Sequence, residues 1–411
     1  MKHILLCLLP GIALLLQMPA STAAVIKVHA GGVSSAVKNA QRGDTLLLLP
    51  GNYKEHDIIV SRKLYITGKD WPVIDGEDKY QLFIVTADSV VIEGLQIQHT
   101  GKSSVTDMAG VRIANAARVI IRNNKFLDNT YGIYLQNATA CTVAGNMIRS
   151  TIGDGVNDGN GVHAWKSNHL LIKDNTISGH RDGIYFEFVT DTYIQGNRSF
   201  RNARYGLHFM FSNDDTYRQN TFMDNGAGVA VMYSHGVSMY DNEFFHNWGG
   251  ASYGLLLKEI TDSKIIHNQF TRNTIGIHME GTTRVDVERN LFQDNGWALR
   301  VMASCSGGNF VKNNFSGNSF DVITNGTAML NTFNNNYWDK YDGYDLDKDN
   351  IGDVPYYPVS AYAVITEKIP PAMILYRSFF TTMIEQVEKV MPGLIPDKLK
   401  DDHPEMKKLQ L

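Results

Sequence analysis

Two stretches of the sequence decide the fold: GLHFMFSNDDTYRQNTF at residues 206–222 and GVAVMYSHGVSMYDNEF at residues 228–244. In each stretch a Gly is followed 14 positions later by the Asn of an Asn-x-Phe pattern. Eight successive Gly–Asn pairs keep this spacing, from Gly110 to Asn290. The distance from each of these Asn residues to the next such Gly is 8 or 9 residues, except at two places, where it is 15 and 12 residues. The chain is therefore a repeat of about 22 residues with insertions at one corner.

Three rows of apolar residues follow from this alignment. The residues one and three positions after each Gly are apolar, as are most residues three before each Asn, and most residues two after it are aromatic. Apolar residues at period 2 within a 22-residue repeat predict one coil of a parallel β-helix, with these rows stacked inside. The Asn row is expected to form an internal ladder of amides at one turn. Its predicted members are Asn124, Asn146, Asn175, Asn197, Asn220, Asn242, Asn268, Asn290, Asn313 and Asn335.

The expected fold class is all-β, a right-handed parallel β-helix with coils of about 22 residues, a short N-terminal cap helix and a C-terminal amphipathic helical tail. Residues 1–24 are typical of a secretory signal, because an apolar stretch precedes small residues. Residues 25–109 are assigned to the cap and first coils, 110–360 to the repeats and a terminal acidic loop, and 361–411 to the tail. Apolar residues within 372–391 recur at helical spacing, which favours either a cap on the domain or a dock for a membrane partner or surface.

Composition narrows the function. The 411 residues include 38 Lys and Arg and 42 Asp and Glu, which gives a net charge of 38 − 42 = −4. The chain therefore lacks the excess of basic residues that is typical of nucleic-acid-binding proteins. The mature chain would keep Cys141 and Cys305, which lie seven coils apart and cannot bond to each other. Both are interpreted as structural residues of the coils.

The residues two and four positions after each Gly are predicted to face outward, because strand side chains alternate. In coil order the central pairs are His163/Trp165, Tyr185/Glu187, His208/Met210 and Ala230/Met232, with His278/Glu280 two coils further on. Met232 is expected directly over Met210, with His208 two residues along the strand. Imidazole and thioether without thiolate suit Cu(I). The alternative is a Met stripe that packs in a cleft or interface, bordered by the insertions at 151–160 and 246–253.

A second candidate metal site is the acidic loop at Asp345, Asp347, Asp349 and Asp353. Carboxylates at loop positions 1, 3, 5 and 9 resemble a calcium loop. Asn350 stands where such loops have Gly at position six, and no Glu follows at position 12. The alternative is a polar turn closed by Asp and Asn side chains.

An enzymatic alternative rests on His180-Arg181-Asp182 and on the Tyr185, Glu187 and His163 neighbourhood. Parallel β-helices often act on uronic polysaccharides, so a lyase or epimerase remains open, as does a carbohydrate-binding protein. The outer face lacks the paired carboxylates on adjacent coils that a hydrolase requires.

Several segments together resemble the NosD family, periplasmic β-helix proteins of nitrous oxide reductase maturation. They are GVHAWKS at 161–167, HRDGIYFEF at 180–188, RYGLHFMFS at 204–212, NGAGVAVMYS at 225–234, YGLLLKE at 253–259, YWD at 337–339 and the acidic loop through Pro355. The Pro370-Pro371 segment with Arg377-Ser-Phe-Phe also matches. The resemblance covers nearly the whole mature chain.

This resemblance implies a non-catalytic accessory protein that handles copper for nitrous oxide reductase, receiving it from a periplasmic copper donor. It implies association with the inner membrane through an ABC-type permease and its ATPase. The permease contact would then involve Pro371, Tyr376, Arg377, Phe379 and Phe380. The copper ligands expected from the outer rows are His208, Met210 and Met232, with His163, Glu187 and His278 beside them.

Overall fold

The computed structural model describes residues 23–151, 159–326, 330–390 and 399–411. The predicted signal residues 1–22 and positions 152–158 of the first insertion lie outside this part. In the described chain, strands of successive coils pair in parallel to form three sheets of 14, 12 and 13 strands. The prediction of a parallel β-helix is confirmed.

Each coil contributes one strand to each sheet along most of the solenoid, in chain order. Sheet 1 contains Val25–Val28, Thr45–Leu48, Tyr65–Gly68, Val91–Glu93, Ile120–Arg122, Thr142–Ala144, Leu171–Lys173, Tyr193–Gln195, Thr216–Arg218, Ser238–Tyr240, Thr261–Ile266, Thr283–Glu288, Ser306–Val311 and Leu330–Asn334. Sheet 2 contains Ile58–Val60, Phe83–Val85, Ala109–Ala114, Tyr131–Gln136, Asn160–Trp165, Asp182–Glu187, Tyr205–Met210, Ala227–Met232, Tyr253–Lys258, Ile275–Glu280, Trp297–Val301 and Phe320–Ile323. Sheet 3 contains Asn52–Tyr53, Val73–Asp75, Gln96–Gln98, Lys125–Leu127, Met147–Arg149, Thr176–Ser178, Arg198–Phe200, Thr221–Met223, Glu243–Phe245, Gln269–Thr271, Leu291–Gln293, Asn314–Ser316 and Tyr337–Trp338.

The helices lie at the two ends of the solenoid. Helix α1 spans Val33–Asn39 and caps the first coils, as expected for the short N-terminal cap helix. The tail contains α2 at Ala361–Lys368, a 3-10 turn at Pro370–Leu375 and α3 at Phe379–Val390. The single helix expected within 372–391 is therefore wrong. Tyr376 has an extended backbone and Arg377 has φ +60°, so the helix cannot run through this point.

The interior consists of the three predicted apolar rows. The aromatic row stacks almost face to face, with ring centroids of Phe244 and Phe270 4.5 Å apart and those of Phe270 and Phe292 5.0 Å apart. Cys141 and Cys305 are buried and unbonded, as expected. Because every coil places the same class of residue above its predecessor, the core is continuous along the whole stack.

The predicted Asn ladder runs through the turn before sheet 3. Asn220 Nδ2 donates to Asn242 Oδ1 at 3.0 Å and to Ile194 O at 2.9 Å, and Asn220 N donates to the same Asn242 oxygen at 3.1 Å. One amide therefore satisfies its own coil and is tied to the two coils beside it. This matters because an unsatisfied buried polar group costs about 1–3 kcal/mol.

The last predicted member of the ladder is wrong by one residue. Asn313 Nδ2 donates to Asn336 Oδ1 at 2.9 Å, so Asn336 and not Asn335 continues the row. Asn335 has φ +53° and occupies the left-handed position that precedes each ladder Asn, like Gln219 at φ +55°. Trp338, whose ring stacks 4.0 Å from that of Phe315, accordingly replaces Tyr337 in the aromatic row.

A second ladder lies five residues after the first and was not predicted. Asn247 Nδ2 donates to Asn273 Oδ1 at 3.0 Å, and Asn295 Nδ2 donates to Asn318 Oδ1 at 3.0 Å. Its members are Asn202, Asn225, Asn247, Asn273, Asn295 and Asn318. Their constant offset of five residues from the first row is visible in the sequence and would have allowed this second ladder to be predicted.

Residues 399–411 close the open end of the solenoid. Asp401 Oδ2 accepts hydrogen bonds from Asn336 N and Asn336 Nδ2, both at 2.9 Å, and from Trp338 Nε1 at 3.1 Å. Asp401 thus takes the place of the next ladder Asn, although it lies in a segment that the sequence suggested was part of the helical tail. The exposed amides of a last coil would otherwise remain unpaired.

One buried carboxyl makes the stability of the core dependent on pH. Asp215 is fully buried, and burial raises its pKa well above the ordinary value. Its Oδ1 accepts from Thr192 N at 2.9 Å, while Oδ2 has no partner among the described residues. The folded state therefore binds this proton more tightly than the unfolded state, and stability falls as pH rises through and above the unfolded pKa of about 3.9.

We expect Asp215→Asn to raise the melting temperature at pH 7 by on the order of a few °C, with a smaller gain at pH 4. The amide keeps the shape of the side chain but removes the cost of ionisation. Circular dichroism melts at the two pH values measure the difference, with the exposed Asp214→Asn as the control. A gain that is equal at both pH values would contradict this account.

Candidate functional site

The outer rows of sheet 2 have the predicted register. His163, Tyr185, His208 and Ala230 are successive neighbours in one row. Trp165, Glu187, Met210 and Met232 are successive neighbours in the other. Met232 therefore lies beside Met210 on the next coil, and His208 lies two residues before Met210 on the same strand.

The outer histidines are more enclosed than an outward face implies. His163, His208 and His278 are only 9%, 4% and 7% exposed. Tyrosine rings pack against all three histidines. The ring centroids of Tyr134 and His163, His163 and Tyr185, and Tyr185 and His208 lie 4.6, 4.9 and 5.0 Å apart, and those of Tyr253 and His278 lie 5.2 Å apart. The outer face of sheet 2 thus carries its own packed aromatic layer. The sequence contains a signal of this aromatic layer, because a Tyr directly precedes the Gly of three coils, at positions 131, 205 and 253.

An ion pair between the exposed Arg204 and the buried Asp182 lies beside His208. Arg204 Nε donates to Asp182 Oδ1 at 2.8 Å, and a second guanidinium nitrogen donates to Oδ2. His208 Nδ1 lies 3.6 Å from the same Oδ2 and 3.4 Å from an Arg204 guanidinium nitrogen. Burial alone would raise the pKa of the fully enclosed Asp182, but the hydrogen bonds from Arg204 and His208 outweigh it and hold that pKa below its ordinary value. The sequence suggested Asp182 only as part of an acid–base group, so its role beneath His208 was missed.

This arrangement leaves one histidine nitrogen available. His208 Nε2 is buried and has no hydrogen-bond partner among the described residues. A carboxylate beside Nδ1 is the common outer partner of a metal-binding imidazole, because it fixes the tautomer and leaves Nε2 as the ligand atom. Asp182 lies on the Nδ1 side of His208, so the unpartnered Nε2 is the candidate ligand atom.

The two thioethers lie in the same part of sheet 2 and are half-buried. The Tyr185 hydroxyl lies 3.8 Å from Met210 Sδ and 3.4 Å from Glu187 Oε2. Burial, followed by the charge of Glu187, raises the pKa of Tyr185 to about 12, so its phenol stays protonated at neutral pH. We call His208, Met210 and Met232 the His–Met patch.

His163 and His278 do not belong to this patch. His163 lies two coils from His208 with Tyr185 between them, about 10 Å at the strand spacing, and His278 lies three coils away, about 14 Å. Burial and Arg181 lower the pKa of His163 to about 3, and burial and Arg300 lower that of His278 to about 4. The predicted ligand set is thus divided over three separate places on the sheet.

The acidic loop brings three of its four predicted carboxylates together. Ligand oxygens of Asp345, Asp347 and Asp349 lie within 4.8 Å of one another. In the described chain this is the only group of three or more His, Cys, Asp or Glu residues so arranged. Asp353 stands apart, and its Oδ2 accepts from Leu346 N at 2.7 Å. The charge of Asp349, first among several causes, raises the pKa of Asp347.

Asn350 permits the tight turn of this loop. Its φ of +73° is the conformation for which such loops usually have Gly. Its backbone N–H donates to Asp345 Oδ2 at 3.0 Å. The departure from the calcium-loop pattern at position six is therefore accommodated by the backbone.

The tail packs on the end of sheet 2 and leaves one side uncovered. The Tyr376 ring lies 5.4 Å from that of Phe320, and Arg300 pairs with Glu367 of α2 at 2.5 Å. Phe379 and Phe380 are 81% and 49% exposed. Pro371 and Arg377 are also exposed, whereas Tyr376 is half-buried against the solenoid. Within the described residues, helices of the length and hydrophobicity needed to cross a bilayer are absent.

The second insertion borders a cleft, but not at the His–Met patch. A cavity of about 250 Å³ lies between residues 250–253, Trp297 and Arg300 on one side and Glu367 and Met373 of the tail on the other. The tail therefore forms the cleft together with this insertion. Of the first insertion, positions 152–158 lie outside the described residues.

The fold is a parallel β-helix whose sheet 2 carries one imidazole and two thioethers on adjacent coils of its outer face. Residues 38–158 and 150–343 match the model of the family described as "Periplasmic copper-binding protein (NosD)". The chain belongs to the NosD family. Its location is accordingly the periplasm, in agreement with the predicted secretory signal.

Two relatives carry the name "Probable ABC transporter binding protein NosD". The protein of Pseudomonas aeruginosa is 25% identical, and the alignment covers 88% of this chain and 87% of the relative. The protein of Stutzerimonas stutzeri is 24% identical over 89% and 87% of the two chains.

Solved structures with a similar fold include polysaccharide-modifying enzymes and an adhesin. The A-module of mannuronan C-5 epimerase AlgE4 from Azotobacter vinelandii is 13% identical with a TM-score of 0.52, covering 74% of this chain and 88% of the module. An α-1,3-glucanase catalytic unit from Streptomyces thermodiastaticus is 13% identical with a TM-score of 0.58, covering 80% and 70%. The adhesin PfbA of Streptococcus pneumoniae is 12% identical with a TM-score of 0.54, covering 77% and 90%. At these identities the likeness concerns the fold alone.

Proposed function

We propose that this protein binds Cu(I) at the His–Met patch and passes it to nitrous oxide reductase, as a periplasmic accessory subunit of an ABC-type transporter complex. It receives copper from a periplasmic donor. The observation that carries the proposal is the combination of a free, buried His208 Nε2 with two thioethers on adjacent coils. The family description and the names of the two relatives support the copper and transporter parts.

The residues of the patch suit reversible binding of Cu(I), which has to be passed on to another protein. Thioethers and a neutral imidazole bind a soft monovalent ion without contributing negative charge. Asp182 and Arg204 keep His208 in one orientation, and the protonated Tyr185 hydroxyl beside Met210 limits the freedom of that thioether. Half-burial of both Met side chains leaves the patch within reach of another protein.

The uncovered side of the tail suits a membrane partner. Phe379 and Phe380 are exposed on α3, and Ile374 in the preceding turn is 88% exposed. Such apolar side chains are unfavourable in water and mark an interaction surface. The permease of the transporter is the proposed partner, with Pro371, Arg377, Phe379 and Phe380 in the contact and Tyr376 supporting it from the solenoid side.

The polysaccharide lyase or epimerase alternative has little support from the site. A lyase needs a group that accepts a proton at neutral pH, whereas the high pKa of Tyr185 keeps its phenol protonated. Asp182, the carboxylate of the HRD segment, is fully occupied by Arg204 and the His208 ring. The enzymes of similar fold argue only for the architecture.

We predict that the double variant His208→Ala/Met210→Ala loses at least about tenfold in Cu(I) affinity, because it removes two of the three soft ligands. Competition against a chromophoric Cu(I) chelator under anaerobic conditions measures the affinity. The matched control is His56→Ala/Met147→Ala, which removes an exposed imidazole beside the first strand of sheet 2 and an exposed thioether of sheet 3, both several coils from the patch. Equal affinities for both double variants would exclude the patch as the copper site.

We predict that Phe379→Ser/Phe380→Ser abolishes co-purification with the permease from detergent-solubilised membranes, while the melting temperature stays unchanged because both rings are exposed. Trp248→Ser, which alters a ring that is 59% exposed on the second insertion, serves as the control. Retention of the permease by the tail variant would rule out this contact.

We also propose that the acidic loop binds Ca²⁺ through Asp345, Asp347 and Asp349. Millimolar CaCl₂ should raise the melting temperature of the wild type by a few °C, because it neutralises three neighbouring carboxylates. Asp347→Asn should reduce this effect, whereas Asp353→Asn, which lies outside the cluster, should reduce it less. A melting temperature insensitive to calcium would leave the loop as a polar turn.

A further inference from the structure

A ridge of exposed aromatic rings runs beside the His–Met patch. Phe188, Phe211 and Tyr233 directly follow Glu187, Met210 and Met232 on three successive coils, and they are 45%, 39% and 41% exposed. Their rings stack with centroids 5.3 and 5.1 Å apart and interplanar angles of 10° and 17°. We call these three residues the aromatic ridge.

The backbone at these positions disfavours aromatic residues. Phe188, Phe211 and Tyr233 have φ values of +54°, +51° and +54°. Bulky side chains rarely adopt this left-handed conformation, whereas Asn and Gly tolerate it. The same turn position carries Asn115, Asn137 and Gly281 on more distant coils, and Lys166 and Glu259 on the two coils that flank the ridge, all with positive φ. From Gly110 to Gly276, aromatic residues occupy this turn position only at 188, 211 and 233, on and beside the coils that carry the patch.

The fold itself does not require aromatic side chains at the ridge positions. Its rings lie outside the solenoid, and the stacked faces cover each other while the ring edges remain in water. Strained residues that the fold does not require are characteristic of functional surfaces. Exposed aromatic clusters are in turn typical of the central contacts in protein interfaces.

The charges around the ridge indicate what covers it. Asp191 and Asp214, three residues beyond Phe188 and Phe211, are exposed, and Glu187 adjoins the ridge on the patch side. At the two ends of the ridge, the exposed Lys166 and Glu259 occupy the same turn position, so acidic residues outnumber basic ones around it. A partner that fits has an apolar cleft for the ring edges and Lys or Arg residues on its rim. Transfer of copper without release into solution requires the acceptor to cover Met210 and Met232, which directly precede the ridge residues.

We infer that the aromatic ridge is the docking surface for the protein that accepts copper from the His–Met patch. This inference rests on the proposed function. The partner presents an apolar cleft with a basic rim, and in the proposed function it is nitrous oxide reductase. The ridge contributes to the affinity for the acceptor protein and is not part of the copper site.

The test replaces the ridge by Phe188→Asn/Phe211→Asn/Tyr233→Asn. Asn suits the left-handed backbone, so the fold is expected to be as stable as the wild type or more stable. The control is Tyr193→Asn, which alters an aromatic residue of sheet 1 that is 59% exposed. Binding of purified, copper-free nitrous oxide reductase to the labelled full-length protein is measured by fluorescence anisotropy, and copper transfer to it by rapid mixing.

We expect the ridge variant to bind the reductase at least tenfold more weakly and to transfer copper correspondingly more slowly. Its Cu(I) affinity and its loading from Cu(I)–glutathione, a small donor that needs no docking surface, should change less than twofold. Unchanged binding to the reductase overturns the inference, as does an equal loss in the Tyr193→Asn control. If the wild type fails to bind Cu(I), the proposed function fails, yet the anisotropy measurement without copper still decides whether the ridge docks the reductase.

Discussion

The buried asparagine amide is the interaction on which the rest of this structure depends. A solenoid coil must turn its backbone three times, and each turn exposes N–H and C=O groups that the core cannot hydrate. In the main ladder, each amide donates to a backbone carbonyl of the preceding coil and to the amide oxygen of the next coil, while its own oxygen receives the backbone N–H of the preceding ladder Asn. The ladder therefore sets the register of successive coils, and Asp401 ends it with a side chain that can only accept.

This register is what brings the functional side chains together. His208, Met210 and Met232 come from two coils, and they are neighbours because the Gly-to-Asn spacing of 14 is the same in both. A one-residue slip would move the thioethers from the outer face to the core. The constancy of the inner rows thus allows the outer rows to vary, and the unusual residues collect on sheet 2.

Local sequence predicted the repeat more reliably than its ends. Asn335 and Asn336 both fit an Asn-rich turn, and only the left-handed backbone of Asn335 assigns the ladder position to Asn336. Residues 399–411 looked like part of a tail because their partner, Asn336, is more than sixty residues away in the sequence. The amphipathic pattern within 372–391 predicted one helix, whereas the packing of Tyr376 on Phe320 accompanies a break at that point.

The sequence by itself determined the coil length, the core rows, the Asn ladder and the face on which His and Met residues align, because each depends on a spacing that repeats along the chain. Only the tertiary structure decided which side chains of that face are buried, which are paired and which lie close together. It enclosed His163, His208 and His278 among tyrosines, joined Asp182 and Arg204 to His208, and separated His278 from the patch. These contacts join side chains of neighbouring coils, and their distances depend on ring packing and rotamers that a periodic pattern does not encode.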